Sequence, residues 1–348
     1  MGLASGPYLC ARWCRECRAR RCQSPRHPPP TSRGRPRRPR PSAPNLSRQP
    51  TGATPVNIVD AHIHVWTSDF DRYPLAPGFT PADLWLPSFT PDDHFAYSRK
   101  VGKVRLNLVQ MTWYGLDHSY ILDLIASDPE TYTGTGIVPG VSDVSLADPG
   151  KAMLALAEGG IRAFRVRGGS TGRPTAFGRQ DRWLDYPGYE SMFRTGAEHN
   201  LALSFLMGLA DLPGLIRLCR RFPETPVILD HICGVRIRDG VWPEGDIRTL
   251  CNMARYPRVI VKLGPFQALG NGEAPYLDLL PLIERIVDAF GPERLMWESD
   301  SGGPVRMKDP ANDFATAIAL IRDHADFLSQ SDKEQILVKT AEDFFFNR

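Results

Sequence analysis

From residue 57 onward, short runs of branched apolar residues alternate with stretches whose apolar positions recur every three or four residues. The first pattern suits strands buried on both faces, and the second suits helices that cover one. Strands are predicted at 57–65, 103–111, 133–138, 161–166, 202–207, 226–232, 259–263 and 295–299. Helices are predicted near 91–100, 119–126, 149–158, 189–199, 212–221, 246–254, 276–290 and 312–327, with a last one over 331–345. Boundary residues agree with this reading. Thr90 is placed to cap the first helix, Pro223 lies just beyond the fifth, and Gly291 stops the seventh. Ser331 with Glu334 has the spacing of a capping box for the last. Eight β–α units over about 290 residues match a (β/α)₈ TIM barrel in number and size. A doubly wound open sheet is the runner-up, but no glycine-rich phosphate loop follows the first strand.

Composition divides the chain in two. It has 348 residues, 42% of them hydrophobic, enough for one large barrel over 55–348 and an extension over 1–54. Residues 1–55 hold twelve Arg, no Lys and one acid, Glu16, a net of +11. The whole chain is +3, so the remainder is −8 and gives no reason to expect nucleic-acid binding by the barrel. The Pro-, Arg- and Ser-rich extension cannot build a core and is expected to be disordered. It reads as an organellar targeting segment, as a basic arm for RNA or membrane surfaces, or as a translated stretch outside the mature protein. Its prolines oppose the amphipathic helix of a targeting segment, and the last of the three readings is preferred.

Four of the seven cysteines, Cys10, Cys14, Cys17 and Cys22, lie in the extension. Cys14-x-x-Cys17 has zinc-site spacing but no partnering fold. The barrel keeps only Cys219, Cys233 and Cys251, which fits a reducing, cytoplasmic setting. No apolar run reaches ~18 residues, so no membrane span is expected.

The candidate chemistry falls at strand ends, where barrels carry their sites. His62 and His64 end the first strand, with side chains on one face ~7 Å apart along the chain, and Asp60 is expected on that same face. His231 ends strand six, Asp300 strand eight, Arg165 and Arg167 strand four, and Lys262 strand seven. Each alone has a plain alternative as a loop cap, a turn residue or an ion pair. Four such groups, His62, His64, His231 and Asp300, on one rim favour a shared site. Trp85, Trp113, Tyr114 and Trp183 are candidates to wall a pocket or to anchor loops. His94, His118, His199 and His324 lie away from strand ends and read as ordinary surface or helix residues.

Asp60-Ala61-His62-Ile63-His64-Val65-Trp66 resembles the opening of the amidohydrolase-related (amidohydrolase 2) family. Leu229-Asp230-His231, Val261-Lys262-Leu263-Gly264 and the run from Phe290 to Asp300 resemble its later motifs, over about residues 56–346. The likeness is greatest to the branch of 2-pyrone-4,6-dicarboxylate, L-fucono- and sulfomuconolactonases. It implies His62, His64, His231 and Asp300 as the catalytic set and Arg165 as a clamp for a substrate carboxylate, with Arg167 assisting or pairing with an acid. Lys262 is open between substrate contact and a structural ion pair.

Three departures from the family pattern matter. Strand five has no histidine, and strand four has no lysine to become a bridging carbamate, so a two-metal centre is not expected. Glu298-Ser299-Asp300-Ser301-Gly302 stands where the family has Gly-Ser-Asp-Trp-Pro. Glu298 is thus a candidate extra ligand, or an inward acid paired with Lys262 or Arg165.

The expected function is hydrolysis of a small anionic lactone. Asp300 would act as general base while His62, His64 and His231 polarise the carbonyl, directly or through one divalent ion, zinc or manganese, on His62, His64 and Asp300. The rivals are a metal-dependent decarboxylase on the same barrel, a barrel that binds a carboxylate without turning it over, and a nucleic-acid-binding role for the basic extension. The expected partner is a small anionic molecule; oligomeric state is not legible.

Overall fold

A computed structural model describes residues 56–139, 147–167, 183–237, 240–304 and 307–347. The extension at 1–54, with Cys14 and Cys17, lies outside the described residues, as does 168–182. Eight strands follow one another: β1 (Val56–Ile63), β2 (Gly102–Val109), β3 (Tyr132–Gly136), β4 (Ile161–Arg167), β5 (Ala202–Leu206), β6 (Val227–Leu229), β7 (Val259–Leu263) and β8 (Leu295–Trp297). Each pairs in parallel with the next, in sequence order. A helix follows every strand: α1 (Pro91–Ser98), α2 (Ser119–Ser127), α3 (Pro149–Glu158), α4 (Pro187–His199), α5 (Leu212–Arg221), α6 (Glu244–Cys251), α7 (Leu280–Phe290) and α8 (Pro310–Ala319). This is the TIM barrel that the alternation predicts. Strands such as β6 are buried on both faces, between the barrel interior and the helices. Helices bury one stripe, as α5 does with Leu212, Leu215, Leu218 and Cys219.

The seam between β8 and β1 closes at the C-terminal rim, beyond the last ladder residue of β8. There the Asp300 amide donates to the His62 carbonyl at 3.0 Å, and the His64 amide donates to the Ser301 carbonyl at 2.8 Å. Closure therefore runs through the residues that carry the candidate chemistry. Gly302 (φ +73°) is needed beside it, because a Cβ there would strike the His64 carbonyl and the Phe89 ring.

Several boundaries move, as where β1 ends at Ile63, β8 at Trp297 and α8 at Ala319, and two of the changes have a clear local cause. The last helical segment starts at α9 (Gln330–Glu334), capped by Ser329 with Asp332 rather than by Ser331 with Glu334, and ends in α10 (Thr340–Phe345). Strand six ends at Leu229 instead of 232, because His231, Ile232 and Cys233 turn through the left-handed region with φ of 52°, 46° and 53°. A β-branched residue in that region is uncommon and costs on the order of 1–3 kcal/mol. Glu298 holds the turn by accepting the His231 amide at 3.1 Å.

Candidate active site

The two β1 histidines reach the interior through a bulge. Asp60 and Ile63, three steps apart, pair with Leu106 and Leu108, two steps apart. The extra residue breaks strict alternation. The Asn107 side chain takes the displaced Ala61 carbonyl at 2.8 Å. The expectation that Asp60 shares a face with His62 and His64 is therefore corrected. Its carboxylate turns to the seam, where Oδ1 accepts the Ser299 amide at 3.0 Å and Oδ2 accepts the Ser299 hydroxyl at 2.5 Å. Burial pushes its pKa up to about 7.

His62 and His64 point at each other, with Nε2 atoms 3.2 Å apart. His64 Nδ1 lies 2.9 Å from the Val109 carbonyl, which can only accept, so the proton sits on Nδ1 and a lone pair on Nε2. Burial holds His64 well below the usual histidine range, with the Arg165 guanidinium acting in the same direction, so it is neutral at pH 7. Arg165 closes the arrangement, its Nη1 3.0 Å from His62 Nε2 and 3.3 Å from His64 Nε2.

Beneath them lies a charged layer. Lys262 Nζ is 3.2 Å from Asp230 Oδ1 and 3.2 Å from His62 Nδ1, and both Lys262 and Asp230 are fully buried. Burial alone would raise the Asp230 carboxyl, but Lys262, His62 and Arg165 hold it well below its ordinary value. Ser204 donates to the same carboxylate at 2.8 Å. Glu298 Oε1 takes His231 Nδ1 at 2.6 Å, and Oε2 lies 3.2 Å from His62 Nδ1. Glu298 is thus inward as expected, but paired with imidazoles rather than with Lys262 or Arg165. Burial would raise its carboxyl, yet His231 and His62 lower it; burial would lower His231, yet Glu298 and Asp300 raise it.

Asp300 sits in the left-handed region (φ 53°), which aspartate tolerates better than most residues. Its Oδ1 is 3.6 Å from His64 Nε2 and 3.7 Å from His62 Nε2, buried and without a hydrogen-bond donor. Burial raises its pKa. Behind it, Ser299 Oγ and Ser301 Oγ are 2.7 Å apart, the Tyr97 hydroxyl donates to Ser301 Oγ at 3.0 Å, and His94 Nδ1 lies 3.0 Å from that hydroxyl. A cavity of about 210 Å³ touches Asp300 and Ser301 and is walled by Trp85, Phe89 and Met307.

His62, His64, His231 and Asp300 do come together, the rings of His62 and His231 lying 4.8 Å apart. Lys262 makes an ion pair with Asp230. Arg167 stands at the strand end, donating to Thr112 Oγ1 at 2.6 Å. Of the loop aromatics Trp85 lines the cavity, while Trp113 and Trp183 are buried anchors, Trp183 through Asp211. His94 and His118 are corrected: both are buried, His94 in the chain of hydroxyls behind Asp300 and His118 accepting the Ile137 amide. Sequence reasoning passed over Asp230, although it stands beside His231. It also passed over the Asp60–Ser299–Ser301–Tyr97–His94 chain, whose members mean nothing until β8 meets β1.

The residues fit a divalent ion. Two Nε2 atoms and the Asp300 Oδ1, an orphaned buried oxygen, lie within 4.8 Å of one another. Imidazole with carboxylate suits zinc or manganese.

An eight-stranded barrel with three imidazoles and a buried aspartate gathered on its C-terminal rim has the layout of a barrel enzyme's active site. The sequence profile of the amidohydrolase family matches residues 59–346, and the chain belongs to that family as an amidohydrolase-related hydrolase. It is 27% identical over 249 residues to L-fucono-1,5-lactonase of Burkholderia ambifaria, covering 70% of this chain and 79% of that one. It is 27% identical over 248 residues to 4-sulfomuconolactone hydrolase of Hydrogenophaga intermedia, covering 69% and 73%. A Burkholderia multivorans amidohydrolase crystallised with bound zinc shares the fold, with a TM-score of 0.62 at 18% identity over 83% of this chain and 99% of that one. No helix among the described residues is long and apolar enough to cross a membrane.

Proposed function

We propose that the protein hydrolyses a small anionic lactone, adding water across the acyl C–O bond to give a hydroxy acid. The observation that carries this reading is Asp300, a buried carboxylate with a raised pKa and a donor-free oxygen facing two imidazoles. Such a group takes a proton from water as the water attacks the carbonyl. His231 is the partner of opposite character. Glu298 keeps a proton on its Nδ1 and raises its pKa, and its side chain is 16% exposed where that of His62 is fully buried. In the charged ring, which Glu298 and Asp300 favour, Nε2 carries a second proton and is the donor for the developing oxyanion and then for the leaving ring oxygen.

Arg165 adds positive charge beside the same carbonyl site, and the partly exposed Arg167 is the group offered to a substrate carboxylate. Zinc or manganese on His62, His64 and Asp300 would supply Lewis-acid polarisation when bound. The two lactone-hydrolysing relatives support the substrate class, and their names carry the anionic and sugar-derived variants to be tried first.

The test is acid release at constant pH over a panel of lactones bearing carboxylate, sulfonate or hydroxyl groups. One proton per ring opened is expected, and Asp300→Asn should lower kcat by about 10²–10⁴ with the fold intact. An Asp300→Asn variant as fast as wild type would remove the base assignment. Carbon dioxide in place of a hydroxy acid would make the enzyme a decarboxylase, and ligand binding without turnover would leave a carboxylate-binding barrel.

A further inference from the structure

The Nε2 atoms of His62 and His64 face each other at 3.2 Å, too close for two lone pairs with nothing between them. The His64 proton is on Nδ1, held by the Val109 carbonyl at 2.9 Å. Arg165 Nη1, which can only donate, lies 3.0 Å from His62 Nε2, so that nitrogen is an acceptor and the ring proton falls on Nδ1, on the side of Glu298 Oε2 at 3.2 Å and Asp230 Oδ1 at 3.8 Å. Lys262 Nζ lies 3.2 Å from the same Nδ1 and 3.2 Å from Asp230 Oδ1, and with the Nδ1 lone pair gone its protons go to the carboxylate. Both rings therefore aim a lone pair into one small space, and Asp300 Oδ1 borders it without a donor.

A cation already stands in that space. Arg165 Nη1 lies 3.0 Å from one Nε2 and 3.3 Å from the other, hydrogen-bonding distance to both. The guanidinium remains charged at any working pH. Zinc bonds imidazole nitrogen at roughly 2.0–2.1 Å, so an ion on these two lone pairs needs the place that Nη1 holds. A retained guanidinium next to a divalent ion would add repulsion in a buried, poorly screened site.

We propose that Arg165 is the built-in cation of this site and competes with a divalent ion for His62 and His64. It keeps the imidazole pair ordered and positively partnered in the metal-free protein, and metal binding requires it to swing away. The proposal concerns the ion and not the bond that is broken, so its test uses no substrate and does not depend on the lactone reading.

The full chain, stripped with a chelator, is titrated with zinc against a chromophoric competitor, beside Arg165→Met and Arg165→Gln. Arg165→Met should bind zinc at least ~10-fold tighter than wild type, about 1.4 kcal/mol. Arg165→Gln, which keeps a neutral donor, should fall between them. Adding His64→Asn to Arg165→Met should abolish the gain, which locates it at this pair. Circular dichroism confirms that each variant is folded. Equal affinity in wild type and a folded Arg165 variant, or weaker affinity in the variant, overturns the proposal. If neither variant folds, wild type decides: a Kd weaker than about 1 μM is expected for the blocked pair, and a tighter one overturns the competition.

Discussion

Glu298 reaches two imidazoles at once, Oε1 at 2.6 Å from His231 Nδ1 and Oε2 at 3.2 Å from His62 Nδ1. A carboxylate so placed fixes the tautomer of His231 and raises its basicity. Replacing it by the isosteric amide keeps the shape and removes the charge. Glu298→Gln should therefore lower kcat by about 10–100-fold with KM little changed. Because Glu298 is what raises His231, the limb of the kcat profile that reports the protonated imidazole should move to lower pH. A variant with wild-type kcat and an unmoved profile would reduce Glu298 to filling. Lys262 and Asp230 differ in kind: both are fully buried, so removing either leaves the other's charge uncompensated, a loss of about 3–5 kcal/mol.

The element that decides the site is the closing seam, where the ends of β8 and β1 meet under α1. Asp60, Ser299, Ser301, Tyr97 and His94 form a chain across it, and His94 Nε2 returns to within 3.9 Å of Asp60 Oδ2. Burial lowers His94 from 6.5 to about 3, and burial raises Asp60 from 3.8 to about 7. The two act on stability with opposite sign. Between pH 6.5 and about 3 the unfolded chain binds a proton at His94 that the folded chain refuses, so stability falls as pH falls. Between 3.8 and about 7 the folded chain keeps a proton on Asp60 that the unfolded chain has lost, so stability falls as pH rises. His94→Gln removes only the first effect. Compared by urea unfolding, the stability gap between wild type and variant should narrow by about 2 kcal/mol from pH 7 to pH 5. A constant gap would place His94 in contact with water and sink this account. None of this chain was legible as a unit, because its members come from a strand, a helix and a rim separated by more than two hundred positions.

At the scale of the whole molecule, the family match begins at residue 59 and the described barrel at 56, while the basic excess lies before both. A chain lacking residues 1–54 should melt within a degree or two of full length and keep its kcat/KM, since a domain with its own core folds alone. Loss of activity on truncation, with a steep dependence on salt, would instead make the extension the functional arm.

The alternation of apolar runs determined the barrel without help from tertiary structure, because strand and helix periodicity and the count of units are local properties of the chain. It also brought His62, His64, His231 and Asp300 to strand ends, since barrels carry their chemistry there. Partnership was decided only by the fold. The bulge at Asp60–Ile63 turned Asp60 away from its histidines, the left-handed turn after Leu229 handed His231 to Glu298, and Arg165 settled between two imidazoles. Hydrogen bonds and ion pairs depend on separations of a few tenths of an ångström between residues far apart in the chain, and no periodicity in one dimension encodes those.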